Sequence, residues 1–305
     1  MIKNLQVVRY SNWYIILALL FVVASLILLF TAGLKLGIEF TGGTLWRFSG
    51  GEGMTLETVK QVFEEELEIK DARLTFSPTD GSYLARFPVI DESAHQRNLS
   101  LLENSFPGFS ELSFESIGPS IGDDLKRNAV QAIILGLIGI SLYIAFAFRQ
   151  VSRPISSWKY GLVTLGTLFH DVIIAAGFLS LAGLLWGVEI DANFIVAMLV
   201  IAGFSVHDTI VVFDRIRENL IVERNRSDFG TIIDSSISQT VARSLNTSVT
   251  LILVLIALLI IGPSTLQFFI AALLVGTTMG TYSSIFVASP LLLKWERRRN
   301  GGHKT

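Results

Sequence analysis

Six apolar runs, each long enough to cross a hydrocarbon layer, leave this chain little choice of fold. Residues 10–34 hold no charge, and comparable runs cover 128–148, 160–185, 192–213, 245–262 and 268–293. Hydrophobic residues make up 51% of the 305 and charged residues only 16%, against a usual charged share of about 25%. The charges cluster between the runs, as expected of a polytopic α-helical membrane protein. Cysteine is absent, which excludes a disulfide framework, a thiolate metal site and a catalytic thiol. The balance of 24 basic to 26 acidic residues gives no footprint for nucleic acid.

Lysine and arginine set the expected orientation. Lys3 and Arg9 precede the first span, Arg149, Arg153 and Lys159 follow the second, and Arg215, Arg217, Arg224, Arg226 and Arg243 lie between the fourth and fifth. Lys294, Arg297, Arg298, Arg299 and Lys304 follow the sixth, while the connectors 186–191 and 263–267 carry none. Both termini are therefore expected in the cytoplasm. Residues 1–34 hold the amino end and first span, with no signal-peptide cleavage site after Thr31-Ala32-Gly33-Leu34. Residues 35–127 form an extracytoplasmic domain, 128–293 carry spans two to six with a cytoplasmic stretch at 214–243, and 294–305 form a basic tail.

The 35–127 segment reads βαββαβ, a split-βαβ, ferredoxin-like α+β plan. Residues 36–48 read as a strand interrupted by Gly42-Gly43. Thr55 can cap a helix through Leu56, Val59, Phe63 and Leu67. Strands at 73–77 and 83–89 flank a Pro78-Thr79-Asp80-Gly81 turn, a helix covers 92–105, and a last strand covers 110–117. Gly42-Gly43 lacks a following Gly-Lys-Ser/Thr, so it is read as a bulge or tight approach and not as a phosphate loop. With no nucleotide site or cofactor expected, energy must come from an ion gradient or a partner.

Two acids interrupt the spans. Asp208 lies in the fourth and Asp171 deeper in the third, roughly 18–20 Å from the cytoplasmic entry. Intramembrane ionisable residues are costly and mark ion or proton pathways. Ser205, Asp208 and Thr209 share one helical face, as do Tyr160, Thr164, Thr167 and Asp171. Ser236, Gln239, Arg243, Asn246, Thr247 and Thr250 share another, so Arg243 either approaches a buried carboxylate or reaches out to the interface. A histidine precedes each acid, His170 and His207. No metal is expected from these pairs, because adjacent residues diverge around a helix and no further ligand is in view. Gly276, Gly280, Ser284 and Ala288 recur every four residues and predict close helix packing.

Several passages resemble the SecF family. Gly37-Ile38-Glu39-Phe40-Thr41-Gly42-Gly43 is similar to its glycine-pair signature, in which Asp is commoner where Glu39 stands. His207-Asp208-Thr209-Ile210-Val211-Val212-Phe213-Asp214-Arg215-Ile216-Arg217-Glu218-Asn219 resembles its long signature, in which Asn is common at the position of His207. Residues 240–248 and 280–286 fit further passages. The resemblance spans nearly the whole chain. It implies a subunit of the protein-export membrane complex, related to the resistance-nodulation-division transporters, working with SecD and the SecYEG channel on an emerging preprotein. It also implies use of the proton-motive force, with Asp208 and Arg243 matching functional positions and Asp171, His170 and His207 as further relay candidates. A small-molecule exporter half, an intramembrane aspartyl protease and a purely structural assembly factor are the rival readings.

Overall fold

Side-chain caps at Thr55, Asp91 and Asp228 set the starts of three helices along the chain. The computed structural model describes residues 5–50, 53–77, 81–147, 156–223 and 227–301. Three predicted features lie outside these residues: the Pro78-Thr79-Asp80 part of a turn, the basic positions Lys3, Arg149, Arg153, Arg224 and Arg226, and the tail beyond 301. Helix α1 (Ser11–Thr31) is followed by a separate unit, 36–130. That unit contains α2 (Ile38–Thr41), β1 (Gly43–Ser49), α3 (Leu56–Glu65), β2 (Arg73–Ser77), β3 (Ser82–Phe87), α4 (Glu92–Ser105) and β4 (Ser110–Ile117). Helices α5 (Pro119–Ala147), α6 (Ser157–Trp186), α7 (Ala192–Glu223), α8 (Phe229–Ile261) and α9 (Gln267–Ser283) follow. A π-turn at Ser284–Ala288 then leads into α10 (Ser289–Gly301). Among the described residues, six helical segments are long and apolar enough to cross a membrane.

In the 36–130 unit, the four strands form one antiparallel sheet in the order β2-β3-β1-β4. Thr44, Trp46 and Phe48 alternate inward along β1, as the two-residue period of a strand demands. Trp46 and Phe48 are fully buried against Phe63, Phe87, Leu102 and Phe106. Thr55 closes a reciprocal cap on α3, accepting from Thr58 N (3.2 Å) while Thr58 Oγ1 accepts from Thr55 N (2.8 Å). Asp91 caps α4, its Oδ1 accepting from Ala94 N at 2.7 Å.

The expected strand over 36–48 is corrected here. Residues 38–41 close a helical turn, and the strand begins at Gly43. Gly42 (φ 73°) and Gly43 (φ 127°) take conformations closed to other residues. A Cβ on Gly42 would lie 2.9 Å from Pro119 Cα, and one on Gly122 would lie 2.9 Å from Gly42 N. The glycine pair therefore lets the chain press its backbone onto the first turn of α5. That helix starts at Pro119, well before the predicted 128, with proline in the first turn, where its missing N–H is harmless.

The remaining unit, 1–35 with 131–305, is the helical bundle. Small residues bring its helices together. A Cβ on Gly177 of α6 would collide with Ser25 of α1 at 2.4 Å, and one on Gly276 of α9 would collide with Ile201 of α7 at 2.4 Å. Tyr160, Leu168, Phe213, Ile216, Ile233, Ile237 and Leu292 fill the core between them. The stretch 214–243 is no separate element: α7 continues to Glu223, and α8 starts at Phe229 with Asp228 as its cap. Lys159 and Glu296 form a buried ion pair between α6 and α10 at 3.0 Å.

Candidate functional site: two enclosed carboxylates

The α6 residues predicted to share a face, Tyr160, Thr164, Thr167 and Asp171, are all fully buried. Thr164 and Thr167 return their hydroxyl protons to backbone carbonyls of their own helix, to Tyr160 O and to Val163 O and Thr164 O. Asp171, on the same face, instead bonds outward to neighbouring helices. Its Oδ2 accepts from Ser205 Oγ of α7 (2.5 Å) and from Ser283 Oγ of α9 (2.8 Å). Its Oδ1 is 2.8 Å from His170 Nδ1. One carboxylate therefore ties three helices together. The other ring nitrogen of His170, Nε2, is buried without a hydrogen-bond partner among the described residues.

Asp208 is equally enclosed, at 1% exposure, and shares the inward face of α7 with Ser205 and Thr209. Its polar surroundings are much poorer. Oδ2 lies 3.3 Å from Ser248 Oγ of α8, a hydroxyl that is shared with Ser244 O at 2.8 Å and that accepts from Thr281 Oγ1 of α9 (2.7 Å). Oδ1 lies 3.9 Å from His207 Nδ1, and the His207 side chain is 64% exposed on the outer side of the bundle. Asp208 thus has one long hydroxyl contact, whereas Asp171 has three polar partners within 2.8 Å. The two acids share no hydrogen bond among the described residues.

The other predicted positions divide between those near this centre and those away from it. Gly280 is 3.1 Å, by a built Cβ, from Ser205 Cβ, so it opens the space in which Ser205 reaches Asp171. Ser284 and Ala288, further along the same stripe, are fully buried. Ser283, the last residue of α9 before the π-turn, turns its hydroxyl to Asp171, and Ser284 donates to Thr281 O (3.0 Å). Arg243 is exposed and makes no ion pair among the described residues. Its predicted companions Gln239, Asn246, Thr247 and Thr250 are exposed too; the line that faces the bundle is Ser236, Thr240, Ser244 and Ser248. Those small hydroxyl residues satisfy themselves in large part on the preceding turn and allow close packing, so they displaced the bulkier polar line from the interior.

Arg215 binds Gln239 Oε1 and Glu218 Oε2, and Asp214 accepts from Arg217 at 3.5 Å, all at the α7–α8 end of the bundle. In the 36–130 unit, Gly37 caps α2, Phe40 is buried, and Thr41 Oγ1 donates to Gly37 O at 3.0 Å. Glu39 is half-buried in the same turn. Ser283, Ser248 and Thr281 are site residues that the sequence reading did not single out, although all three lie in passages it quoted or bordered.

Six apolar helical segments among the described residues, four of them meeting at two enclosed carboxylates, define a multi-pass membrane protein with a buried acidic centre. Residues 98–298 match the family described as protein export membrane protein SecD/SecF, C-terminal, and residues 27–45 match the SecD/SecF GG motif. The chain is 39% identical over 304 residues to the protein translocase subunit SecF of Thermobaculum terrenum, covering 96% of this chain and 95% of that one. It is 38% identical over 275 residues to the protein translocase subunit SecDF of Thermus thermophilus, covering 88% of this chain and 36% of that one. The crystal structure of SecDF from Thermus thermophilus, described as translocon-associated, superposes with a TM-score of 0.82 at 32% identity. A super-membrane-facing form of SecDF superposes with a TM-score of 0.71. The chain spans 39% of the former SecDF chain and 40% of the latter. The chain belongs to the SecD/SecF family of protein export membrane proteins.

Proposed function

We propose that this chain is a SecF-type accessory subunit of a protein translocase, which couples proton entry to late steps of preprotein export. It acts as a transport subunit, not as an enzyme. Both termini face the cytoplasm, and the 36–130 unit, a ferredoxin-like domain, lies on the outer side. A SecD-like subunit covers the bundle where Arg243, Asn246, Thr247 and Thr250 stand exposed, and the pair serves the SecYEG channel.

The observation that carries this reading is the unequal support of the two enclosed acids. Asp208 is the proton-exchanging group: buried, held by one long hydroxyl bond, with His207 leading outward from it. Asp171 and His170 anchor the neighbouring helices and respond to changes at Ser205, which sits one turn from Asp208 on α7. A proton crossing the full field supplies about 2.3 kcal/mol per 100 mV, enough to bias a two-state movement more than tenfold. Arg243 acts from the partner-facing side, and the outer domain holds the emerging chain.

The protease reading requires two carboxyls sharing one proton. Here each acid is bound to its own hydroxyls instead. The reading is tested in inverted vesicles containing this chain, a SecD-like subunit and the channel. Asp208→Asn is expected to remove stimulation of export by the proton gradient while leaving co-purification of the subunits intact.

A further inference from the structure

At the end of the bundle that carries the basic tail, a cleft of about 730 Å³ opens between the first turns of α6, the middle of α10 and the start of α1. Its floor is apolar, formed by Ile15, Leu162, Val163 and Leu291. Gly166 borders the same floor on an exposed part of α6, and a Cβ built there meets nothing within 4 Å, so the apolar floor is open along the helix at this point. The rim is different in kind. Trp158 and Trp295 meet edge to face, with centroids 5.2 Å apart, the amphipathic ring type that settles at headgroup level.

Lys294 completes the rim. Its ammonium donates once to Asn12 Oδ1 at 2.6 Å, and two of its three donors remain. Lys159, which also lines the cleft, is neutralised by Glu296 and fixes the wall. The charge at the mouth is therefore a net positive one, and the chain continues from it into Arg297, Arg298 and Arg299. Basic pockets between spans beside a basic juxtamembrane run suit anionic lipid headgroups.

We propose that this cleft binds one anionic phospholipid, its phosphate on Lys294 beside the Trp158–Trp295 pair and an acyl chain along the apolar floor past Gly166. A zwitterionic headgroup would bring its own ammonium against the same positive rim, so the site selects for net negative charge. The inference requires this end of the bundle to lie at a membrane surface. It does not depend on the proton chemistry at Asp208, and its failure would leave that chemistry untouched.

The test is native mass spectrometry of the full chain in neutral detergent, titrated with phosphatidylglycerol, phosphatidylcholine of matched acyl chains, or inorganic phosphate. One phosphatidylglycerol should be retained at about a tenfold lower concentration than phosphatidylcholine. Lys294→Gln should abolish that preference. Gly166→Leu, which adds volume where a Cβ meets open space, should abolish retention of both lipids without changing the melting temperature in detergent. Equal retention of the two lipids, or an unchanged preference in Lys294→Gln, would overturn the proposal. Displacement of the lipid by millimolar inorganic phosphate would overturn it too, reducing the site to one for free phosphate.

Discussion

Asp171 and Asp208 lie on adjacent helices and are buried alike, yet their oxygens meet very different partners. Two hydroxyls, from Ser205 of α7 and Ser283 of α9, donate to Asp171 and the His170 ring lies beside it, which makes this side chain a structural anchor between helices. Ser283→Ala should lower the melting temperature of the purified protein and weaken export, because it strips Asp171 of a bond to α9. Ser284→Ala, which loses only a bond to a carbonyl of its own helix, should stay close to wild type. Equal effects of the two would contradict the Ser283–Asp171 bond as the source of the loss. His207→Ala should leave assembly of the complex intact, since the ring is exposed and reaches Asp208 only at 3.9 Å.

Among the elements, the caps and helix crossings carry separate predictions. The Ala94 N–H, followed by the Ser93 hydroxyl, holds the Asp91 carboxyl below the ordinary carboxylate range. A carboxyl depressed on folding contributes stability above its unfolded pKa and loses it as the pH falls through its folded value. The loss of α4 hydrogen-exchange protection in Asp91→Ala should therefore be full at neutral pH and shrink below about pH 4. A gap that is unchanged at pH 2 would contradict this account. At the α7–α9 crossing, Gly276→Val forces its Cβ into Ile201 and should destabilise the bundle by about 1–3 kcal/mol, read as loss of monodisperse protein. Gly203→Ala, where a Cβ meets nothing within 4 Å, should be neutral.

The inward faces of α6 and α7 were legible in the sequence because 3.6-residue spacing alone places Asp171 with Thr164 and Thr167, and Asp208 with Ser205. The partners of the acids were not. Ser283 lies three residues after Gly280 and seven after Gly276, on the same α9 face, but a count by fours steps past it to Ser284. On α8, two polar lines compete, and side-chain polarity favours Arg243 and Asn246, whereas close packing selects Ser244 and Ser248. The strand over 36–48 was misread for a related reason: Ile38, Phe40 and Gly42 fit a two-residue alternation, while the positive φ of the glycines, set by contact with Pro119, breaks it.

At the scale of the whole molecule, the bundle leaves a polar line on a surface where lipid would disfavour it. Arg243, Asn246, Thr247 and Thr250 are exposed on α8, and this is the face assigned to a SecD-like subunit. The chain lacks cysteine, so single cysteines report cleanly. A cysteine at Thr250 should cross-link to a co-expressed SecD-like subunit, while one at Ser248, buried within the bundle, should not. The sequence indicated six spans and a folded unit after the first, because apolar length and charge clustering are properties of single segments. It could not show which face is covered by another chain, because that depends on a surface belonging to the partner.

The most direct test is the rate of late preprotein export in inverted vesicles with and without an imposed proton gradient, comparing wild type with Asp208→Asn at equal complex abundance. The gradient should accelerate export in the wild type and leave the variant unchanged. Equal acceleration of both would contradict the assignment of Asp208 as the proton-exchanging group.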